Sequence, residues 1–281
     1  MTDPGTPDIG ALSRITPSQV AGATALVRTG TVHDLGLPLD ERMPQSDAFT
    51  PFSFTWRVTP EGSAPDGHYQ YAAETITGAL HAGTHIDGLV HVAAAGRVYG
   101  NRRASDVRTD RGFTAHGIET VPPILTRGVV LDIASLHGVP ALEDGYEITR
   151  DDLARALDRA GITVGTGDAV LVRTGKVREY GTDNTSYQSG QPGVGPEGAI
   201  WLYEQGMAVL GTDTTGTEPL PFPDEHHTTH QEMLVERGVH LIENLSLDGV
   251  AAHGVTHGLF VCLPLRITGA TGSWVRPVLV T

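Results

Sequence analysis

Apolar residues along this chain fall into short runs whose spacing alternates between that of strands and that of helices. Residues 128–133 and 169–173 are mainly apolar and do not alternate with polar residues, which predicts buried strands. Residues 49–59 alternate aromatic and polar side chains, which predicts a half-buried strand. Further strands are predicted at residues 31–35, 69–80, 208–210, 239–242, 258–267 and 273–280.

Helices are predicted between these runs from their end signals. Thr16 with Pro17 begins a helix that Gly30 ends, and a capping-box pattern at Thr149 begins a helix with an apolar stripe that ends at Gly161. Two more helices are predicted at residues 196–206 and 230–237. This interleaving predicts one α/β domain over residues 16–281, with a mixed sheet and extended loops. Residues 1–15, rich in Pro, Gly, Thr and Asp, predict a flexible N-terminal lead-in.

The charge balance narrows the class of partner. The 281 residues include 19 basic and 33 acidic ones, a formal net charge of -14. Such a field repels nucleic acid and anionic membranes, so we expect neither as a partner and expect a small-molecule substrate. The sequence shows neither a signal peptide nor an apolar run near the roughly 20 residues that span a bilayer, which favours a cytoplasmic protein. Cys262, the one cysteine, lies in an apolar run and is expected to be buried and inert.

Candidate chemistry is concentrated in residues 81–91. His81, His85 and Asp87 offer two imidazoles and a carboxylate within seven residues, a mixture that suits zinc or manganese. Gly83 favours a strand end passing into a tight loop rather than a helix. His91 is a further ligand or a proton-transfer group. The alternative, polar residues near a turn, is less consistent with so many ligand types in one short segment.

A metal site with three ligands from a single loop needs further residues, from elsewhere in the chain, to complete it. His230, at a predicted helix start, and Glu243, at a predicted strand end, are candidates, although composition alone leaves this open. A rival pair, His253 and His257, has no acidic neighbour. Asp213 either supports the site or caps a turn. The sequence holds neither a Gly-x-Ser-x-Gly elbow nor a phosphate-binding Gly-rich loop.

The pattern His81-x-Gly-Thr-His85-x-Asp87-x-x-x-His91 resembles the signature of the cyclase-like metal-dependent hydrolase family, which includes bacterial kynurenine formamidase, isatin hydrolase and trans-dienelactone hydrolase. Later segments, including His230-(x)12-Glu243-Asn-Leu, are also similar to its longer members. The resemblance implies a swivelling β/β/α fold and a homo-oligomer, dimer or tetramer.

It also implies the roles of the site residues. The residues matching His81, His85 and Asp87 bind one metal ion, and Asp87 bridges to a second ion held by His230 and Glu243. The residue matching His91 is the general acid/base. One departure is Leu89, where the formamidase-like pattern has Pro. This departure argues against a kynurenine formamidase while leaving the ligands intact.

These observations predict a hydrolase that uses one or two divalent ions, Mn²⁺ or Zn²⁺, to activate water against an amide, cyclic amide, imide or lactone carbonyl. Two alternatives are a metal-dependent cyclase or dehydratase of a biosynthetic pathway and a non-catalytic metal-containing ligand-binding protein. Four aromatic residues are candidates for a pocket wall, with a core strand as the alternative: Phe49, Phe52, Phe54 and Trp56.

Overall fold

Apolar runs from the middle of the chain form the centre of a mixed sheet in the computed structural model, which describes residues 8–64 and 66–281. The strands in these residues are β1 Val32–Asp34, β2 Ser53–Val58, β3 Ala73–Thr77, β4 His85–Asp87, β5 Arg97–Val98, β6 Arg102–Arg103, β7 Arg108–Thr109, β8 Gly112–Phe113, β9 Ile124–Asp132, β10 Glu147–Ile148, β11 Ala169–Arg173, β12 Gly193–Val194, β13 Val209–Thr212, β14 His240–Glu243, β15 His257–Cys262, β16 Gly272–Trp274 and β17 Val278–Val280.

Nine of these strands form the main sheet, in the order β1-β17-β15-β9-β11-β13-β14-β4-β16. The four central strands, β9, β11, β13 and β14, are parallel. The flanking strands pair antiparallel on both sides. Because parallel strands end at the same edge, the carboxyl ends of the central strands lie together, and this edge is where open α/β sheets commonly bind ligands.

Helices cover the sheet and connect its strands. The α-helices are α1 Pro17–Thr24, α2 Pro60–Ser63, α3 Ala104–Val107, α4 Ile133–Leu136, α5 Arg150–Ala160, α6 Asn184–Ser189, α7 Pro196–Gln205 and α8 Asp248–Ala252. Single-turn 3-10 helices lie at Gly10–Arg14, Tyr99–Asn101, Ile118–Thr120 and Lys176–Glu179, and Gln231–Glu236 form a π-helix. Within the described residues, no helix is both long and apolar enough to cross a membrane.

The central strands are buried on both faces. In β9, Val129 and Leu131 belong to the same buried cluster as Leu153 and Leu157 of α5, whereas Val130 points to the opposite face and belongs to the cluster that contains Phe260 of β15. Both faces therefore need apolar side chains, which is why these strands appear as continuous apolar runs rather than alternating ones. The predicted single α/β domain with a mixed sheet is confirmed.

Most predicted elements are present with shifted ends. The predicted helix at 149–161 is α5, and the Thr149 hydroxyl accepts a hydrogen bond from the Asp152 N–H, as its capping box requires. The predicted strand at 258–267 stops at Cys262, two residues before Pro264, since proline cannot donate to a strand ladder. The predicted strand at 273–280 is two strands, and Pro277 lies between them.

The N-terminal segment differs more from the prediction. Residues 1–7 of the predicted lead-in lie outside the described residues. Residues 10–14 form a 3-10 helix whose Leu12 is buried, so packing begins before residue 16. The first α-helix ends at Thr24 rather than Gly30, because the N–H groups of Thr29 and Gly30 bond instead to the Thr281 carbonyl and direct the chain towards β1.

The aromatic strand at residues 49–59 has a different environment from the one predicted. Its residues form β2, which pairs with β3 in a hairpin separate from the main sheet. Phe54 is 41% exposed and Trp56 is 54% exposed, whereas Phe52 is buried against Trp274. The prediction of a half-buried strand is therefore wrong for Phe54 and Trp56, because this hairpin has no layer packed over their face within the described residues.

Candidate metal centre

The motif His85-Ile-Asp87 forms strand β4, and its alternation follows from the two-residue period of a strand. His85 and Asp87 point to the same face, and Ile86 points to the other, where it is buried in the core. All three are almost inaccessible, with His85 1% and Asp87 0% exposed. A buried strand therefore presents an imidazole and a carboxylate side by side to one interior face.

Strand pairing brings a second acidic residue to this face. In the antiparallel register of β4 with β14, Glu243 lies directly opposite His85. Side chains of directly opposed residues lie on the same face of a sheet, about 5 Å apart at Cβ. The carboxyl end of β14 thus contributes Glu243, and the Oε2 atom of Glu243 lies 3.4 Å from Nε2 of His85.

Three residues of the motif form what we call the first ligand cluster: His81, His85 and Asp87. The Nδ1 atom of His81 is hydrogen-bonded to Oδ1 of Asp87 at 2.7 Å, and Nε2 of His85 is 3.5 Å from the same oxygen. Glu243 adjoins this cluster, because its carboxylate and the ligand atoms of His85 and Asp87 all lie within 4.8 Å of one another.

The second ligand cluster consists of Asp87, His230 and Glu243. The Nε2 atom of His230 lies 3.4 Å from Oδ2 of Asp87 and 3.3 Å from Oε1 of Glu243. Donor atoms that share an ion at 2.0–2.2 Å are separated from one another by roughly 2.8–3.6 Å at ordinary coordination angles. Both distances fall in that range, and the two oxygens of Asp87 face different clusters, as a bridging carboxylate requires.

The charge distribution of these clusters favours a cation. The Oδ2 atom of Asp87 is buried and has no hydrogen-bond partner. Burial alone would raise the pKa of Asp87, but the imidazoles of His91, His230 and His81 hold that pKa well below its usual range. Burial would likewise lower the pKa of His230, but Glu218, Glu243 and Asp87 hold it well above the usual value. The carboxylates therefore favour the protonated, positively charged form of His230. A metal ion that binds here would replace that positive charge.

The ligand histidines are oriented by their other ring nitrogen. Nδ1 of His85 is hydrogen-bonded to the Gly83 carbonyl at 2.8 Å, which leaves Nε2 facing the carboxylates. Nε2 of His81 is hydrogen-bonded to the Thr271 hydroxyl at 2.8 Å, which leaves Nδ1 facing Asp87. Metal-binding histidines usually have such a partner, since it selects the tautomer.

Two glycines provide the room that this arrangement needs. Gly83 has φ +64°, and a Cβ there would lie 2.3 Å from the side chain of Leu39. The turn predicted at Gly83 is confirmed, and glycine adopts this backbone conformation at low cost. A Cβ on Gly272, in the neighbouring strand β16, would lie 2.6 Å from Cε1 of His81. The Thr84 hydroxyl donates to the Asn244 carbonyl, which ties β4 to the segment after β14.

His91 lies beside the clusters and differs from the other histidines. Its ring stacks on that of His81 with centroids 3.7 Å apart and planes 16° from parallel. Burial, together with the neighbouring imidazoles and against the pull of Asp87, lowers the pKa of His91 to about 4. His91 is therefore neutral at pH 7 and able to accept a proton. A ligand atom of His91 also lies within 4.8 Å of those of His81 and Asp87, so geometry by itself permits either of the predicted roles.

A cavity of about 350 Å³ opens beside the second cluster. His91, Glu218 and His230 are among the polar residues of its wall, together with Gln191, Thr215, Thr228 and Gln231, and its apolar side chains are those of Val92, Leu220 and Phe222. This mixture of apolar wall and convergent polar groups is typical of a small-molecule site. Phe222 and Leu220 line it in place of the predicted aromatic wall of residues 49–56.

The structure brings together all five predicted ligands and His91, and their roles stay predictions. The rival histidines are placed elsewhere: His253 and His257 are exposed, and Nδ1 of His253 is hydrogen-bonded to the Gly249 carbonyl. The Asp213 carboxylate accepts hydrogen bonds from the N–H groups of Thr174 and Gly175, which agrees with the turn-capping alternative.

Sequence reasoning missed the residues that support the ligands. Glu218 is hydrogen-bonded to Nδ1 of His230, and the Thr217 hydroxyl donates to Oε1 of Glu243 at 2.9 Å. Thr271 has the corresponding role for His81. A threonine or glutamate in a loop carries no local signal of such a role. The one available clue was the cluster of polar residues directly after the buried strand β13.

The sheet and its buried cluster define an α/β protein with a candidate metal centre at the carboxyl edge of its parallel strands. A family model described as putative cyclase matches residues 33–219. Because this match covers well over half of the 281 residues, the chain belongs to the cyclase family. The resemblance inferred from the histidine motif is therefore confirmed.

Individual proteins agree with this assignment. The chain is 27% identical over 253 residues to kynurenine formamidase of Geobacillus thermodenitrificans (strain NG80-2), and the match covers 88% of this chain and 95% of that protein. A crystal structure of a novel cyclase superposes with a TM-score of 0.89 at 29% identity, over 98% of this chain and 94% of that one. Isatin hydrolase A from Ralstonia solanacearum shares the fold, with a TM-score of 0.68 at 22% identity over 100% of both chains. Leu89, the departure from the formamidase-like pattern, is buried in the main core and contributes no ligand.

Proposed function

We propose that this protein is a divalent-metal-dependent hydrolase that cleaves a C–N bond next to a carbonyl group in a small molecule. The observation that carries the proposal is the convergence of imidazoles and carboxylates on the two oxygens of the buried Asp87. A first metal ion would be bound by His81, His85 and Asp87. A second would be bound by Asp87, His230 and Glu243.

The donor set fits a borderline divalent ion. It consists of nitrogen and oxygen atoms without thiolate, which suits Zn²⁺ and Mn²⁺ alike. When bound, such an ion supplies Lewis-acid polarisation of a carbonyl oxygen and lowers the pKa of water from about 15.7 to about 7. Asp87 and Glu243, buried carboxylates in an interior of low polarity, are stabilised by that positive charge.

Within this proposal His91 moves the proton. Its neutral ring accepts a proton from the attacking water and returns it to the nitrogen that leaves, so that the amine departs uncharged. The stack on His81 limits rotation of the ring and holds it at the wall of the cavity. A group fixed in this way needs little reorganisation when the reaction occurs.

Relatives indicate the type of bond. Kynurenine formamidase is named for a formamide substrate, and isatin hydrolase for a cyclic amide. Both names imply hydrolysis of a C–N bond to a carbonyl carbon, and the cavity of about 350 Å³ has room for a substrate of that size. We therefore propose an amide or a cyclic amide as the substrate class.

A substrate and metal screen tests the proposal. The purified protein is stripped with a chelator, reloaded with Mn²⁺ or Zn²⁺, and assayed on aryl formamides, isatins, cyclic imides and lactones by product mass. We expect the mass of one added water, in a reaction that chelation abolishes. Wild-type metal content in both His85→Ala and Asp87→Ala, or metal-loaded protein inactive on every compound, would contradict it.

We also propose that copies of the chain assemble into a homo-oligomer. Phe54 and Trp56 pack edge to face with ring centroids 5.1 Å apart and remain largely exposed on the β2–β3 hairpin. An exposed aromatic patch of this kind commonly marks an interaction site. Light scattering after size exclusion tests this, and a purely monomeric protein at micromolar concentration contradicts it.

A further inference from the structure

Glu218 is a buried acidic residue outside the predicted ligand set. It is 5% exposed and lies in the loop after β13. Its Oε2 atom is hydrogen-bonded to Nδ1 of His230, the ring nitrogen that faces away from the second ligand cluster. A glutamate in this position contacts the candidate metal site through a ligand rather than directly.

This hydrogen bond determines which nitrogen of His230 is available. A neutral imidazole carries one N–H, and a carboxylate beside Nδ1 holds that proton on Nδ1. Nε2, which lies 3.4 Å from Oδ2 of Asp87 and 3.3 Å from Oε1 of Glu243, is then the nitrogen whose lone pair would bind an ion placed among them. Carboxylate partners of this type raise the basicity of a ligand histidine and fix its ring orientation.

The preceding residue orients the other ligand of the same cluster. The Thr217 hydroxyl donates to Oε1 of Glu243, the oxygen that faces His230. Two consecutive residues therefore hold two of the three residues of the second ligand cluster. In the first ligand cluster, the corresponding partners of His81 and His85 are Thr271 and the Gly83 carbonyl, far from this loop in sequence.

The loop is itself held rigidly. Gln191 is fully buried, and its side-chain amide makes five hydrogen bonds to residues 215–218. The Thr217 carbonyl also accepts a hydrogen bond from the Val194 N–H at 2.8 Å. A loop fastened on both sides can keep Thr217 and Glu218 in place while the cavity beside them is open.

We infer that Thr217 and Glu218 are positioning residues that set the affinity of the second ligand cluster for its ion and leave the first cluster unaffected. This inference rests on the proposed function, because it assumes that both clusters hold ions. It goes beyond the proposed function in one respect: the number of ions bound depends on a loop that contributes no metal ligand. Glu218 acts through the orientation and charge of His230, and Thr217 acts through the orientation of Glu243.

The test is metal binding by Glu218→Gln and Thr217→Val, both of which nearly preserve side-chain volume. Glu236→Gln is the matched control, since Glu236 is exposed on the π-helix that follows His230. Each protein is stripped and titrated with Mn²⁺ alone, with stoichiometry from elemental analysis and dissociation constants from calorimetry and chelator competition. Electron paramagnetic resonance distinguishes a coupled pair of Mn²⁺ ions from a single ion, and circular dichroism verifies folding.

We expect the second Mn²⁺ to bind about 10–100-fold more weakly in both variants, with the first unchanged, in line with losses measured at other outer-shell partners. The control should match wild type. Equal weakening of both ions, or no weakening of the second, overturns the inference. A wild-type protein that binds a single ion overturns it too and leaves the proposed function standing, whereas a wild-type protein that binds none refutes both.

Discussion

Replacing His91 with alanine removes the imidazole that stacks on His81 and lines the cavity. The size of the effect follows from its environment. With a pKa of about 4, roughly one molecule in a thousand carries a protonated His91 at pH 7, so the ring is almost always a free base. It is also a weaker base than an ordinary imidazole of pKa about 6.5. A weaker general base accelerates the reaction less than a stronger one.

We therefore place the loss in the lower part of the usual range for general acid/base help, at about 10²–10³ in kcat, which corresponds to about 3–4 kcal/mol of activation free energy. Because the substitution leaves a ring-sized space beside an open cavity, added imidazole should restore part of the activity.

The assay compares kcat and KM of metal-loaded wild type, His91→Ala and His253→Ala on whichever amide the wild type hydrolyses. His253 is an exposed histidine remote from the predicted ligand set and serves as the control. Turnover of His91→Ala within a few-fold of wild type, at full metal content, would remove His91 from the mechanism. Loss of metal in that variant would instead assign His91 as a ligand, a role that its distance from His81 and Asp87 permits.

Three further predictions follow from the structure. Gly272→Ala places a Cβ 2.6 Å from Cε1 of His81 and 2.9 Å from the Ile86 carbonyl, so metal content and activity should fall. The control Gly249→Ala, with open space around it, should change neither. Equal metal content of the two variants by elemental analysis would contradict this. Chelation should abolish turnover and also lower the melting temperature, because the buried carboxylates lose the positive charge that balances them. Calorimetry with and without chelator measures this, and an unchanged melting temperature would contradict it. Burial raises the pKa of Asp213 from 3.8 to about 6, so its contribution to stability is fully present below pH 4 and is lost as pH rises through 6. The unfolding free energy of wild type, relative to Asp213→Asn, should therefore fall by about 2–3 kcal/mol between pH 4 and 7 in urea titrations, and a difference independent of pH would contradict it.

Elements whose signals are local were predictable. The apolar runs of β9 and β11 report burial on both faces, and the cap at Thr149 needs contacts only within one helical turn. The histidine motif was predictable for the same reason, because its residues are close in sequence and their ligand chemistry is a property of the side chains. The ends of elements were less so, since partners such as the Thr281 carbonyl lie far along the chain.

The exposure of β2 shows the limit of periodicity. Alternating aromatic residues predict that one face of a strand is covered, but they do not say by what. In this chain the hairpin lies apart from the main sheet, and Phe54 and Trp56 are exposed.

The class of fold, the family motif and the kinds of donor atom can be inferred from the sequence, since each depends on the order and chemistry of nearby residues. Which residues meet depends on the tertiary structure. The antiparallel register of β4 and β14 places Glu243 opposite His85, and a one-residue slip would turn the Glu243 side chain to the other face of the sheet. The position of the loop after β13 likewise makes Thr217 and Glu218 partners of the second cluster. Register and loop position depend on packing throughout the core, whose residues come from distant parts of the chain. They therefore cannot be inferred from any single segment.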